Sequence, residues 1–297
     1  MERFFCLQQH RWQILSTYSN NGLLQKNFYG VLIEVQMKII PEEIYEEIIR
    51  RLKKIQKEEN VKILYACESG SRAWGFPSSD SDYDVRFIYI RKPEFYLSID
   101  EGRDVIEYPI VDVIDLSGWD LKKTLRLFRK SNPPLLEWLQ SPIVYMKQYS
   151  VSDQLKSLLP LYYSPISCMH HYSNMAEGNL RDYLKNENVW IKKYFYVLRP
   201  VLACNWIEND LGPVPTEFKK LVEVIIKDKA LKKSINDLIK KKKAGEELAR
   251  GNKIPEISNY IEKEIERLKK KEFNLSKKIS DTKTLNDFFR STLNEVW

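Results

Sequence analysis

The chain has 297 residues, of which 43% are hydrophobic and 30% charged, with a formal net charge of +7. That length accommodates two domains with sizeable cores, and the balance describes an ordinary soluble globular protein. No apolar run reaches the roughly 20 residues that span a bilayer and the first residues lack a secretory signal's apolar core, so a cytoplasmic location without membrane attachment is expected. Cys6, Cys67, Cys168 and Cys204 stand far apart with no CxxC pair, and the histidines are His10, His170 and His171. These spacings speak against a zinc site or a disulfide framework.

In chain order, residues 1–36 carry no sustained period and are broken by Ser19-Asn20-Asn21-Gly22. They are expected to be an N-terminal extension, from an upstream start, that adds little to the fold. Met37-Lys38-Ile39-Ile40-Pro41 looks like the natural beginning. Pro41 suits a first helical position, with Glu42 and Glu43 favourable to a helix N-terminus. Ile44, Ile48, Leu52 and Ile55 then recur every three to four residues, which predicts a helix through about Glu59.

Three β-rich segments follow, at 61–67, 82–90 and 105–116, with turn signals at 75–81 and around Pro93 and Gly102. The first ends in Gly70-Ser71-Arg72, small residues at which backbone amides could approach a phosphate closely. The second opens with Asp82-Tyr83-Asp84. Residues two apart on a strand share a face, so these carboxylates would project together with Cα atoms roughly 7 Å apart. Two such acids repel unless a cation or proton lies between them, and Mg²⁺ takes oxygen ligands completed by phosphate oxygens. Arg86 falls on the same face, placed either to meet phosphate or to pair with the carboxylates. The pattern turns helical again over 120–129 and, after Asn132-Pro133-Pro134, through Leu139.

Beyond about Ser152 the chain reads as helices only, at 166–184, 189–209, 216–226, 231–249, 255–272 and 284–293. Residues 216–297 hold 21 Lys+Arg against 14 Asp+Glu, which leaves 27 of each sign in the remainder, so the whole positive excess is C-terminal. Runs such as Lys240-Lys241-Lys242-Lys243 suit a polyanion such as RNA, or form the solvated face of a helix. The expected fold is α+β, a mixed sheet with flanking helices over 37–150 followed by an all-helical, basic domain over 151–297. Trp74, Trp119, Trp138, Trp190 and Trp206 are expected to fill core volume.

Five segments carry a resemblance. They are 70–76 (Gly-Ser-Arg-Ala-Trp-Gly-Phe), 79–86 (Ser-Asp-Ser-Asp-Tyr-Asp-Val-Arg), 118–123 (Gly-Trp-Asp-Leu-Lys-Lys), 131–139 (Ser-Asn-Pro-Pro-Leu-Leu-Glu-Trp-Leu) and 192–200 (Lys-Lys-Tyr-Phe-Tyr-Val-Leu-Arg-Pro). Together, over about residues 37–272, they resemble the DNA polymerase beta superfamily of nucleotidyltransferases, and more closely its predicted branch associated with RNA repair in bacteria and phages. The resemblance implies transfer of a nucleoside monophosphate from an NTP, ATP being the expected one, to an acceptor hydroxyl with release of pyrophosphate. It implies Mg²⁺ or Mn²⁺ on Asp82, Asp84 and a third acid. Asp115 is taken for that acid because the family places one ahead of the Asp120-Leu121-Lys122-Lys123 helix start. Asp112, on the opposite strand face, is the alternative. Gly70, Ser71 and Arg72 would hold the triphosphate. Lys193 and Arg199 would face the nucleotide cleft from the C-terminal half, with an ion pair as the competing role, and His171 and Tyr172 either line that cleft or belong to an amphipathic helix. The expected acceptor is an RNA end. A protein or small-molecule hydroxyl, as in antitoxin-like relatives, and a non-catalytic RNA-binding adaptor are the alternatives.

Overall fold

A computed structural model describes residues 40–245, 249–273 and 281–297. The expected extension at 1–36 lies outside the described residues, as do Cys6 and His10. By contact the chain divides into residues 1–50 and residues 51–297, the boundary falling within helix α1 (Glu42–Glu58). Among the described residues no helix is long and apolar enough to cross a membrane.

The second unit is built on a mixed five-stranded sheet. Its strands are β1 (Lys62–Glu68), β2 (Tyr83–Ile90), β3 (Val105–Glu107), β4 (Ile114–Asp120) and β5 (Val144–Lys147), in the spatial order β3-β4-β2-β1-β5. Only β2 and β4 run parallel, and they align Asp84 with Asp115 and Phe87 with Gly118. Gly118 is required there. A Cβ at this position would collide with the Phe87 ring, which lies flat across the glycine in place of a side chain.

Short helices α2 (Gly70–Ala73) and α3 (Pro93–Tyr96) follow β1 and β2. Helices α4 (Leu121–Arg129) and α5 (Pro133–Leu139) follow β4, and each opens on the cap its sequence announces. The Asp120 carboxylate accepts from the Lys122 amide at 2.7 Å, and Asn132 accepts from the Leu135 amide at 3.2 Å.

After β5 come α6 (Val151–Tyr162) and α7 (Pro165–Asn179), which ends in a π-helical turn over Leu180–Leu184. Then come β6 (Asn188–Trp190), a 3₁₀ turn (Ile191–Lys193), α8 (Tyr194–Glu208), α9 (Phe218–Ile225), α10 (Lys229–Lys243), β7 (Arg250–Asn252), α11 (Pro255–Lys270) and α12 (Thr282–Val296). Helix α8 is apolar on all sides and is buried accordingly, from Tyr194 to Ile207 with Tyr196 left out. One continuous apolar cluster joins Leu64 and Ile88 of the sheet to α4, α5, α8 and α11. Phe76 enters this cluster from the loop after α2, stacked on Phe195 at 4.5 Å and edge-on to Phe218 at 5.4 Å. The loop between the two sequence motifs is thereby anchored in the helical layer.

Five expectations need correction. Trp190, expected in the core, is exposed, and strand β5 was not expected. The segment 105–116 is not one strand: it turns back at Asp112 and Val113, whose φ angles are 50° and 59°, to make the β3–β4 pair. The chain beyond Ser152 is not helices alone, because β6 and β7 pair there, and helix α6 was not expected.

Candidate active site

Strand β1 is buried along nearly its whole length and delivers Glu68 into the interior, 0% exposed. The chain then turns sharply. Ser69 donates its amide to the Asp84 carbonyl at 2.8 Å, and Gly70 adopts φ +57° with its backbone against the Asp84 side chain. Any Cβ at Gly70 would occupy the position of Asp84 Oδ2, so the glycine is fixed by conformation and by space alike.

Asp84 and Asp115 stand side by side on the parallel strands, 28% and 25% exposed. The Arg86 guanidinium bridges them, at 3.1 Å from Asp84 Oδ1 and 2.7 Å from Asp115 Oδ2. Burial pushes the Asp84 carboxyl above its ordinary range; Arg86 pulls it back, and the neighbouring Asp115 and Asp82 push it up again. Asp82 lies exposed just before β2. Among the described residues, no three His, Cys, Asp or Glu side chains are grouped closely enough to hold a metal ion by themselves. The donor set nevertheless fits a divalent cation. Two facing carboxylates are what Mg²⁺ uses when substrate phosphates supply further oxygens, with Arg86 as the cation it would displace.

The alternative acid is placed elsewhere. Asp112 sits in the β3–β4 turn, its carboxylate 81% exposed and 3.0 Å from the Arg51 guanidinium. Ser71 lies in α2 behind Gly70. Arg72 is only 8% exposed and packs among protein groups, its Nε without a hydrogen-bond partner among the described residues. Its Nη2 donates to the Ser81 carbonyl at 2.7 Å, its guanidinium lies 3.8 Å from the Tyr83 ring centroid, and its Nε is 3.7 Å from Glu68. It thus braces the loop leading to Asp82 from behind.

Arg199 is likewise buried, 3% exposed and 2.6 Å from Glu137, which also accepts from the Tyr172 hydroxyl at 3.0 Å. The structure thus places Arg72, expected at the triphosphate, against Ser81 and Tyr83, and Arg199, expected to face the nucleotide cleft or to form an ion pair, in an ion pair with Glu137. Arg199 supports the Trp74 ring, 5.0 Å away. The His171 ring is half-buried, its Nε2 bonded to nothing among the described residues, and burial lowers its pKa. Lys193 lies over Tyr183 and Tyr196, 4.4 Å from each centroid. Tyr196 in turn meets Trp74 edge-on at 5.7 Å, which brings Lys193 to the side of α2.

Residues 44–291 match the model of the RNA repair pathway DNA polymerase beta family. The chain belongs to this family. The family is one of polymerase-beta-like nucleotidyltransferases, a class that generally uses divalent metal ions. An uncharacterised protein of Bacillus subtilis (strain 168), YcgL, is 51% identical over 254 residues, 85% of this chain and 97% of that protein. A nucleotidyltransferase-like protein from Exiguobacterium sibiricum 255-15, known from its crystal structure, covers 72% of this chain and 73% of its own, at 10% identity and a TM-score of 0.30.

One residue of this family member that sequence reasoning missed is Glu68. Its carboxylate accepts from the Tyr145 hydroxyl at 2.6 Å and from the Asp84 amide at 3.2 Å, so it fastens β5 and β2 to the end of β1. Burial raises its pKa to about 7, against those hydrogen bonds. The available signal was an acid closing the apolar run Ile63-Leu64-Tyr65-Ala66-Cys67.

Proposed function

We propose that the protein transfers a nucleoside monophosphate from an NTP, ATP by preference, to the terminal hydroxyl of an RNA, releasing pyrophosphate. The observation that carries this reading is the in-register pair Asp84 and Asp115, about a quarter open to solvent, with the Gly70 turn packed against Asp84. Asp84 and Asp115, with Asp82 beside them, would hold Mg²⁺ or Mn²⁺. When bound, the cation supplies charge neutralisation of the phosphates and a more acidic attacking hydroxyl.

The chain's own part follows from its geometry. The tight turn at Gly70 and Ser71 exposes backbone amides to a triphosphate beside the carboxylates. Arg72 and Glu68 fix that turn relative to β2, so the donors stay in place when substrate arrives. Arg199 acts through Trp74, and Lys193 through its reach toward the same side. The acceptor oxygen attacks the α-phosphorus and its bond to the bridging oxygen of pyrophosphate breaks. The hydroxyl proton passes to a carboxylate of the acidic group.

The test is incubation with labelled NTPs, Mg²⁺ or Mn²⁺ and a pool of RNA. Labelled RNA with the wild type, and none with Asp82→Ala or Asp84→Asn, is the expected result. Label on protein or on a small molecule would replace the acceptor. No incorporation under any condition would overturn the reading.

A further inference from the structure

The short β6–β7 pair and the stretch after it carry a surface the carboxylate chemistry leaves unused. Trp190 of β6 pairs with Arg250 of β7, whose guanidinium lies 5.0 Å from the indole centroid, and the Trp190 side is open, 38% exposed. Two residues further on, exposed Lys192 comes within electrostatic reach of Lys242 on α10. The Lys242 ammonium donates to the Ser78 hydroxyl at 3.2 Å, on the loop between the two sequence motifs. Of the lysine run closing α10, Lys240 turns back to Asp237 whereas Lys242 turns to this loop. Burial lowers the Lys242 pKa and Lys192 adds to that, with Asp80 the opposing acid. Next comes Tyr196, 43% exposed under Lys193 and against Trp74, within the field of Asp84 and Asp82.

Cations and part-exposed rings thus lie together from β7 to the edge of the acidic group, each ring with a cation over it. An acidic protein segment would use the cations and leave the rings idle, and a duplex hides the faces of its bases. A single strand uses both, because its phosphates need positive charge and its unstacked bases need π surfaces. We propose that the strip from Trp190 and Arg250, past Lys192 and Lys242, to Tyr196 is the track for single-stranded RNA, which brings the strand's end to Asp84 and Asp115. Binding along the strip stands on its own; what happens at its end rests on the nucleotidyl-transfer reading.

Fluorescence anisotropy of a 5′-labelled 12-nucleotide single-stranded RNA tests the track, with a DNA of the same sequence and an RNA duplex as further arms. Trp190→Ala is expected to weaken RNA binding roughly tenfold through loss of stacking, with Trp190→Tyr restoring most of it. Lys192→Glu combined with Arg250→Glu is expected to weaken binding at low salt and to flatten the slope of log affinity against log salt by about one or more. Mant-ATP binding should be unchanged in these variants, which also reports that they fold. DNA bound as well as RNA supports a track that reads phosphate and base faces alone. A preference for duplex, or wild-type affinity and salt slope in all the variants, overturns it. Asp84→Asn separates the two proposals. It should bind RNA at least as well as wild type while losing transfer, and if it transfers normally the reaction reading falls while the strip variants still judge the track.

Discussion

The parallel pair β2 and β4 carries acids at both ends, and the fold treats the two ends in opposite ways. At the far end, Asp120 is 1% exposed and satisfied by neutral donors, the Lys122 amide and the Tyr96 hydroxyl, each at 2.7 Å. At the near end, Asp84 and Asp115 stay about a quarter open and share one cation, Arg86. A carboxylate closed off by directional neutral donors is a structural cap. A pair held by one guanidinium keeps lone pairs free and its charges only partly balanced, and it costs stability unless a ligand uses it. The difference sets the end proposed for the chemistry apart from the end that only holds the fold, and it can be broken from either side.

The largest effect belongs to the open end. Asp84→Asn is expected to lower nucleotidyl transfer on the order of a thousandfold, the several kcal/mol that a lost metal ligand and its charge imply. Its melting temperature should hold or rise, because burial already disfavours the Asp84 charge. Single-turnover transfer with a differential scanning trace checks both halves. A variant that melts far below wild type would mean that Asp84 is a structural acid like Asp120.

The closed end should show the converse. Asp120→Ala removes an N-cap and strands the Tyr96 hydroxyl, together worth about 2–3 kcal/mol of stability. Mant-ATP binding should be untouched at temperatures where the variant is folded. Urea denaturation gives the first number, and a cost below about 0.5 kcal/mol would dissolve the contrast between the two ends.

Glu68 belongs with the closed group, although it lies directly behind the open one. Burial lifts its folded pKa from the ordinary 4.5 to about 7, so in that window the folded protein binds a proton that the unfolded chain releases. Its contribution is full below pH 4.5 and is lost as the pH rises to about 7. Roughly 2–3 kcal/mol of stability should therefore disappear between pH 4.5 and 8. Glu68→Gln is expected to flatten this profile. Urea titrations of both proteins at pH 5 and pH 8 compare them directly, and equal pH slopes would remove Glu68 from this role.

What the sequence disclosed follows how local each signal is. The caps at Asp120 and Asn132, the periodic stripe of α1 and the apolar runs of β1 and β2 are written within a few residues, and those elements fall within one or two residues of expectation. The β3–β4 hairpin was hidden because its turn places Asp112 and β-branched Val113 at positive φ, where glycine or asparagine is the usual sign. Pro109 was the clue, since a proline inside a strand run argues for interruption. The short β6 and β7 give too few residues for a period, and they pair across more than fifty positions. The same limit governs the site. Gly70 and Asp82-x-Asp84 could be read from residue types, whereas the alignment of Asp84 with Asp115 depends on strand pairing that no local window contains. The residue types around Arg72 and Arg199 show a positive charge near a glycine turn and in an aromatic helix, but not the Ser81 carbonyl and the Glu137 carboxylate that each meets.

The smallest and most specific effect concerns Arg86, which sequence alone left between phosphate contact and ion pair. In the structure it holds both carboxylates, so it stands where added cations must compete with it. Removing one positive charge beside two carboxylates strengthens cation binding by about 1.4 kcal/mol once solvent screening is included, which is roughly tenfold. Arg86→Gln is therefore expected to bind Mn²⁺ about tenfold more tightly by electron paramagnetic resonance titration. Without metal it should melt lower than wild type, because Asp84 and Asp115 then repel without a counterion. Added Mn²⁺ should restore more stability to the variant than to wild type. Unchanged or weaker Mn²⁺ binding would mean that Arg86 does not occupy the cation's place, and the open end of the strand pair would have to be explained without competition between a resident guanidinium and a metal.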